Sequence, residues 1–275
     1  MSTLFEDFRF SQTNLQDFVE CPRRFQLRYV EGQPWPAVQS QPVLERERHV
    51  ELGARFHRLV ERHQLGLDPD LLRGTIDDPQ LLAWWLAYME FDYLHAMEGV
   101  RYPEFLVSVD LEGHRLVAAY DLLVVRPDGG VVIFDWKTYR RRPVEGWFSL
   151  RVQSRLYPLV LVLAGRRGVL GFPVDPEGME LVYWLVGAPR EPAVLPYSLA
   201  RFESDLEYVL SVLGSVGRSF EVGHWSRTSD LSLCGFCEYR SLCERDVPVS
   251  DFDEFAVGGV GDSWALLGDV FEVGF

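Results

Sequence analysis

The stretch "LVAAYDLLVVRPDGGVVIFDWKT", from Leu116 to Thr138, decides the fold of this chain. Two runs rich in Val, Leu and Ile flank "RPDGG", and an Asp-Gly pair between apolar runs is a strong hairpin signal. The stretch therefore predicts two antiparallel β-strands. A third strand, "EFLVSVDLEG" from Glu104 to Gly113, is predicted just before them, with Glu112-Gly113 at the turn.

Three charged residues interrupt these apolar strands. Asp121 is the only charged residue between Leu116 and Val125, and a buried charge is costly unless it is paired or bound to a metal. Asp135 and Lys137 end the next strand on one face, and hairpin pairing would bring Asp121 and Asp135 to the same sheet edge. Two carboxylates and a lysine are suited to hold Mg²⁺ or Mn²⁺ against a phosphate. An Asp135–Lys137 surface pair is the alternative, but it leaves Asp121 unexplained.

Lys137 is the only lysine in the chain. All other residues in the Lys plus Arg count of 27 are arginines. Arginine would serve equally well as a solvated surface charge. A lysine supplies a compact ammonium, which a buried site can use as a point charge in a way that a guanidinium cannot. The pattern therefore favours a functional role for Lys137.

Length and composition indicate one large α/β domain. The chain has 275 residues, of which 47% are hydrophobic and 13% aromatic, enough for a sizeable core. No run of eighteen apolar residues occurs, and the first ten residues carry acids where a signal peptide would be basic. We therefore expect a soluble, cytoplasmic protein without a membrane partner.

The formal net charge of −14 does not exclude a nucleic-acid partner. Residues 246–275 contain seven acids and no base, so they form a separate acidic tail that carries half of the net charge. This tail could bind a partner or fold back on a basic groove. Such a groove is suggested by the arginine clusters, namely Arg23-Arg24, Arg140-Arg141-Arg142, Arg151/Arg155 and Arg166-Arg167.

Hydrophobic periodicity predicts five helices around the strands. Residues 13–30 read as one helix bent at Pro22, and residues 148–164 read as a helix that leads to a further strand at residues 179–187. The other predicted helices span residues 45–66, 78–97 and 197–220. His49 and His63 are interpreted as solvated positions on the second helix, and Trp84-Trp85 as core.

Four cysteines form a split set. Cys234, Cys237 and Cys243 make a C-x2-C-x5-C cluster, and Cys21 stands alone near the other end. They could be ordinary thiols or two disulfides, but the spacing and a reducing cytosol favour a metal centre, either tetrahedral zinc or a [4Fe–4S] cluster. By loop-closure entropy, joining Cys21 to Cys234 would stabilise the fold by about 5 kcal/mol.

These motifs together resemble the PD-(D/E)xK nucleases of the RecB type, the group that includes the nuclease domains of AddB, Dna2 and Cas4. Asp121 matches the first acidic motif of that family, and "DWKT" from Asp135 matches the D-x-K core. "GARFH" from Gly53 to His57 is similar to an upstream G-x-x-x-H, and "QSRLY" from Gln153 to Tyr157 to a Q-x-x-x-Y. "SQTNLQDFVECPRRF" from Ser11 to Phe25 resembles the N-terminal helix motif, and the cysteine set resembles the family's iron–sulfur site.

The resemblance implies a restriction-endonuclease-like α/β core in which helices flank a central mixed β-sheet. The nuclease domain would span residues 1–245, with its N- and C-terminal segments joined by the four-cysteine cluster and followed by the tail. The implied metal ligands are His57, Glu104, Asp121, Asp135 and the Trp136 carbonyl. The implied catalytic residues are Asp121, Asp135, Lys137, Gln153 and Tyr157. The iron–sulfur ligands would be Cys21, Cys234, Cys237 and Cys243, with zinc as the alternative. The predicted DNA contacts are Arg140, Arg141, Arg142, Arg151 and Arg155.

The implied function is a Mg²⁺- or Mn²⁺-dependent DNA nuclease. We expect an exonuclease acting on DNA ends or single strands in DNA repair, recombination or CRISPR adaptation. Its partner would be a separate helicase or CRISPR adaptation protein, because the single lysine leaves no Walker A motif. Two alternatives stay open: a non-catalytic DNA-binding or scaffold subunit of a helicase–nuclease complex, and a zinc-containing binding protein.

Overall fold

The computed structural model of the chain describes residues 8–33, 41–235, 237–245 and 247–248. Of residues 41–47 it describes the helical backbone only. The predicted acidic tail lies almost wholly outside the described residues, so its proposed role stays a prediction.

A six-stranded mixed sheet forms the centre of the described fold. The order along the sheet is β1-β3-β4-β5-β6, and β2 pairs with β3 as well. Strands β2, β3 and β4 are antiparallel, as the hairpin signals predict, whereas β4 and β5 are parallel. The strands are β1 (Arg9–Phe10), β2 (Val100–Leu111), β3 (His114–Val125), β4 (Val131–Lys137), β5 (Met179–Leu185) and β6 (Ala193–Pro196).

Helices cover both faces of this sheet. The helices of the described chain are α1 (Gln12–Glu20), α2 (Pro22–Phe25), α3 (Gln41–Gln64), α4 (Pro69–Arg73), α5 (Pro79–Met89), α6 (Asp92–His95), α7 (Trp147–Leu150), α8 (Val152–Arg166), α9 (Leu199–Val222) and α10 (Ser232–Gly235). A π-helical turn at Gln26–Val30 continues α2, and short 3₁₀ turns lie at Pro176–Gly178 and Arg240–Cys243.

The core has two layers because alternate strand residues point to opposite faces of the sheet. Phe134 and Trp184 face α3 and α5, where Trp84 and Trp85 are buried as predicted. Ile133 and other residues on the opposite face pack against α1, α8 and α9. The architecture confirms the predicted α/β fold with a central mixed sheet between helices.

Three predicted helices are each broken in two, which corrects the sequence interpretation. The predicted bend at Pro22 is a full break, because Cys21 is extended and serves as the N-cap of α2. Breaks also occur near Glu90, between α5 and α6, and at the extended residue Arg151, between α7 and α8. Strands β1 and β6 and helix α4 were not predicted.

A polar cluster fastens α1 to the start of α8. The Gln16 amide oxygen accepts the Val152 N–H at 2.9 Å, and the Gln16 amide nitrogen donates to Glu20 at 2.9 Å. Arg24 and Arg151 both pair with Glu20, the latter at 2.9 Å. Because the first N–H groups of a helix lack partners within it, Gln16 satisfies one that would otherwise be orphaned. The cluster fixes where α8 begins.

In the described part of the chain, no helix is long and apolar enough to cross a bilayer.

The Glu20 pairing makes a prediction for stability. Changing Glu20 to Gln leaves Arg151 without its carboxylate and Arg24 with Asp17 alone, and Glu20 has only 12% of its side chain exposed. Leaving a buried charge uncompensated costs about 3 kcal/mol, so we expect a loss of that size in the free energy of unfolding, measured with urea. The control is Glu31→Gln, which breaks a more exposed pair with Arg23 and should cost less than about 1 kcal/mol. Equal effects of the two changes would contradict this account.

Candidate active site

The site begins where β3 and β4 separate. Their last paired residues are Leu122 and Phe134, so Asp121 and Asp135 come next on either side of the opening. Beyond this pair, β4 no longer pairs with β3, and the Asp121 carboxylate accepts the Trp136 N–H at 2.7 Å. Both aspartates are buried, with Asp121 8% and Asp135 3% exposed. The hairpin thus brings the two predicted acids to one edge.

Helix α3 brings His57 to this edge. Its Nδ1 lies 3.2 Å from the Asp121 carboxylate, and its Nε2 lies 3.1 Å from the Trp136 carbonyl oxygen. One turn earlier, a Cβ at Gly53 would lie 3.3 Å from the Thr138 hydroxyl, which is tight. A glycine at this position therefore lets α3 approach the end of β4, which gives the G-x-x-x-H spacing a physical reason.

His49 shares this face of α3, contrary to the interpretation of a solvated residue. It is buried, and its Nε2 lies 3.4 Å from the Thr138 hydroxyl. Burial and the Arg140 charge lower its pKa, which favours the neutral imidazole. His49, Gly53 and His57 follow each other at four-residue intervals and so face β4 together.

Glu104 completes the group from β2. It has a left-handed backbone, with φ at +47°, in a strand whose neighbours Pro103 and Phe105 pair regularly with β3. The register sets Glu104 opposite Asp121. A non-glycine residue in this conformation costs about 1–3 kcal/mol and is found mainly at functional sites. Ligand atoms of His57, Glu104 and Asp121 all lie within 4.8 Å of one another, so these residues could hold a metal ion.

The pKa values of this group reflect burial and the crowding of carboxylates. Burial and the neighbouring Asp121 charge raise the pKa of Glu104 to about 8. Burial alone would lower the pKa of His57, but the charge and hydrogen bond of Asp121 outweigh it and raise that pKa to about 9. At neutral pH, Glu104 and His57 therefore hold protons that a divalent cation would replace.

Lys137 and Asp135 form a buried pair beside this group. The Lys137 ammonium lies 2.8 Å from Asp135 Oδ1, and both side chains are less than 5% exposed. The other oxygen of Asp135 accepts a hydrogen bond from the Gln153 amide. The ammonium also lies 5.7 Å from the ring centroid of Tyr183. Asp135 is thus oriented by two neighbours and lies outside the three-ligand group.

Tyr157 packs into the core. Its ring lies edge-on to that of Tyr120 at 5.1 Å, and its carbonyl accepts the Tyr120 hydroxyl at 2.9 Å. Of the predicted pair on α8, Gln153 contacts the Asp135 carboxylate through its amide. The role of Tyr157 toward DNA stays a prediction.

The predicted DNA-contacting arginines divide into two groups. Arg140, Arg141 and Arg142 are exposed on the segment after β4, and Arg142 also pairs with Glu191 at 3.1 Å. Arg151 pairs with Glu20, and Arg155 pairs at 2.8 Å with the fully buried Asp205. The last two guanidinium groups therefore have structural partners already.

The four cysteines meet at a second site. All four line one pocket and carry free thiols, although about two hundred residues separate Cys21 from the others. Burial raises the pKa of the Cys237 and Cys243 thiols, and mutual proximity of the cysteines adds to this effect. Arginines also line the pocket, namely Arg24, Arg227, Arg240 and Arg245. The break at Cys21 is what turns this residue toward the pocket.

Comparison with known proteins identifies the family. A model of the PD-(D/E)XK nuclease superfamily matches residues 9–244. This chain belongs to the PD-(D/E)XK nuclease superfamily. The fold is similar to that of a protein from Eubacterium rectale that carries the provisional name exonuclease, with 12% identity, a TM-score of 0.51 and coverage of 86% of this chain and 87% of that one. The crystal structure of SSO0001 also matches, at 12% identity and a TM-score of 0.43 over 86% of each chain. No curated protein sequence matches.

The sequence motifs predict Asp121, Asp135 and Lys137 as site residues, but they give a weaker signal for Glu104. From the sequence alone, Glu104 could equally be a solvent-exposed charge on an edge strand. The conformation that sets it beside Asp121 in this PD-(D/E)XK nuclease has no signal in a single sequence.

The raised pKa values predict how metal binding depends on pH. Glu104 must lose its proton near pH 8, and His57 near pH 9, before either can bind a cation, so Mn²⁺ affinity of this nuclease should rise between about pH 7 and 9. Glu104→Gln should weaken Mn²⁺ binding about tenfold and flatten the pH dependence near 8. Isothermal titration calorimetry measures both effects. The exposed Glu98→Gln is the control, and a Glu104→Gln variant with the same Mn²⁺ affinity as its parent would remove Glu104 from the ligand set.

Proposed function

We propose that this chain is a divalent-metal-dependent deoxyribonuclease. The observation that carries the proposal is the group of buried His57 and Asp121 with half-buried Glu104, beside the Asp135–Lys137 pair. Membership of the superfamily supports hydrolytic nuclease chemistry. The single lysine of the chain is the one that belongs to this site.

The residues present fit a Mg²⁺ or Mn²⁺ ion. Two carboxylates and an imidazole offer hard oxygen donors and one nitrogen, a mixture that suits Mn²⁺ well. Their mutual repulsion, seen in the raised pKa of Glu104, would be relieved by a cation. His57, Glu104 and Asp121 would hold the ion, with Asp135 as a further carboxylate.

The side chains around that ion have distinct roles. When bound, the metal would lower the pKa of a water molecule and neutralise phosphate charge. Lys137 would orient the attacking water or stabilise charge that develops on the phosphate. Gln153 keeps Asp135 in place by a hydrogen bond, and the cluster of Gln16 and Glu20 fixes the start of the helix that carries Gln153.

The substrate we propose is DNA at ends or in single strands. The exposed Arg140, Arg141 and Arg142 follow the active-site strand directly, where they could contact a phosphate backbone. We assign Arg151 and Arg155 to the same proposed surface. Their ion pairs with Glu20 and Asp205 would fix the positions of their side chains there. Exonuclease action is supported by the name of the similar Eubacterium rectale protein. We propose a cytoplasmic role in repair, recombination or CRISPR adaptation, with a separate helicase or adaptation protein as partner.

We also propose that the four cysteines bind a [4Fe–4S] cluster. All four thiols line one pocket, as a shared four-cysteine centre requires. The lining arginines would offset the negative charge of thiolates and cluster. The cluster would join the two ends of the domain, and zinc is the alternative.

A non-catalytic DNA-binding or scaffold subunit is the second candidate function. The intact Asp121, Asp135 and Lys137 set speaks against it, since binding alone does not require a buried lysine. A zinc-containing binding protein is disfavoured by the same residues. One assay separates these classes: Mn²⁺-dependent cleavage of end-labelled single- and double-stranded DNA, which also reports polarity.

The central prediction concerns Lys137. Lys137→Ala should reduce DNA cleavage about 100-fold or more, because the transition state loses its ammonium. Lys137→Arg should also be inactive, since the larger planar guanidinium does not fit a pocket built around a compact charge. Circular dichroism checks that both variants fold. Cleavage by Lys137→Ala at the parent rate would refute the nuclease assignment.

Metal analysis of anaerobically purified protein tests the cluster. We expect about four iron atoms per chain with visible absorbance, and loss of both in Cys21→Ser. The same variant should unfold at lower urea concentration, because the connection between the two ends of the domain is lost. One zinc atom per chain and no visible absorbance would establish the alternative instead.

A further inference from the structure

A basic pocket lies on the outer side of α3, away from the active site. Arg55, Arg58 and Arg62 line it together with residues that connect α4 to α5, including Thr75 and Ile76. At 100° per residue, the three arginines fall on one side of the helix, about 130° around from His57. The same helix thus carries a metal ligand on one side and three guanidinium groups on another.

Among the residues that the structure describes, two of these arginines have no acidic partner. Arg55 pairs with Asp77, and Arg48 on the same helix pairs with Asp78 at 3.1 Å. Across the residues that the structure describes, Arg58 and Arg62 have neither an ion pair nor a hydrogen bond to another side chain, and both are exposed. Among the described acids, Asp77 and Asp78 pair with the neighbouring Arg55 and Arg48 rather than with these two arginines.

The dimensions of the pocket indicate what it can take. Its volume is about 180 Å³, below the range of about 300–1,000 Å³ that is usual for whole small-molecule ligands. Guanidinium groups recognise phosphate oxygens through paired N–H donors. The pocket therefore has room and donors for a phosphate group, with the rest of its carrier outside.

We propose that Arg58 and Arg62, with Arg55 beside them, bind a phosphate of the DNA strand at a position remote from the bond that is cut. This proposal rests on the proposed function. Because α3 is about 10 Å across and separates the pocket from His57, the bound phosphate belongs to a nucleotide distant from the scissile one. The contact would add affinity for longer strands without taking part in the chemistry.

The test compares two double variants that each remove two positive charges. Arg58→Gln/Arg62→Gln changes the pocket, and Arg115→Gln/Arg218→Gln changes exposed arginines that belong to none of the clusters assigned to the basic groove. Affinity for a fluorescent single-stranded oligonucleotide is measured by anisotropy in EDTA over a range of salt concentrations. The pocket variant should bind about tenfold more weakly. The slope of the logarithm of its binding constant against the logarithm of salt concentration should become shallower by about 0.7 for each lost phosphate contact. The control should lose much less.

The outcomes separate this proposal from the nuclease assignment. Affinity and salt dependence equal to those of the parent would overturn the DNA-phosphate contact, while cleavage assays could still support the nuclease. If the parent protein binds no DNA, titration with inorganic pyrophosphate decides between sources of phosphate. Pyrophosphate binding that is lost in the pocket variant would assign the site to a free phosphate compound. No binding of either probe would overturn the site.

Discussion

The hydrogen bond from the Trp136 N–H to Asp121 is the interaction on which the site depends. It exists because β3 and β4 separate after Leu122 and Phe134, which leaves a backbone donor facing a buried carboxylate. The same carboxylate lies 3.2 Å from His57. One acid thus connects two strands and α3, and its burial is tolerated because hydrogen bonds and an imidazolium compensate the charge.

The proposed metal site carries strain that serves its proposed function. Glu104 combines a left-handed backbone with a carboxylate directly opposite Asp121, and each feature opposes folding. Such a conformation persists when the surrounding structure holds it in place, here through the pairing of Pro103 and Phe105 with β3. A divalent cation would turn the repulsion between the two acids into shared coordination, so the unfavourable arrangement is also the one prepared for metal.

Local patterns predict the parts of this fold that depend on local physics. Alternating apolar residues and the Asp-Gly turn are sufficient for β2, β3 and β4, and the spacing of Gly53 and His57 follows from one helix face. The bend at Pro22 is also local, because a proline disfavours the helical conformation of the residue before it, here Cys21. The break at Arg151 is different, because helical periodicity continues across it and the hydrogen bond that fixes the start of α8 comes from Gln16, which is distant in sequence. The burial of His49 has the same origin.

The arginines show why pairing matters more than adjacency. The sequence draws attention to contiguous or near-contiguous arginines, yet Arg24, Arg151 and Arg155 are held by buried acids. Arg58 and Arg62 are spaced by a helical turn and attract no notice in a linear scan. A phosphate can gain most from guanidinium groups that have no internal partner to give up, since breaking a buried pair costs more than the new contact returns. In an acidic nuclease, the arginines available to bind phosphate are therefore those that remain once the arginines in internal ion pairs are set aside. The number of positive charges in the sequence does not identify them.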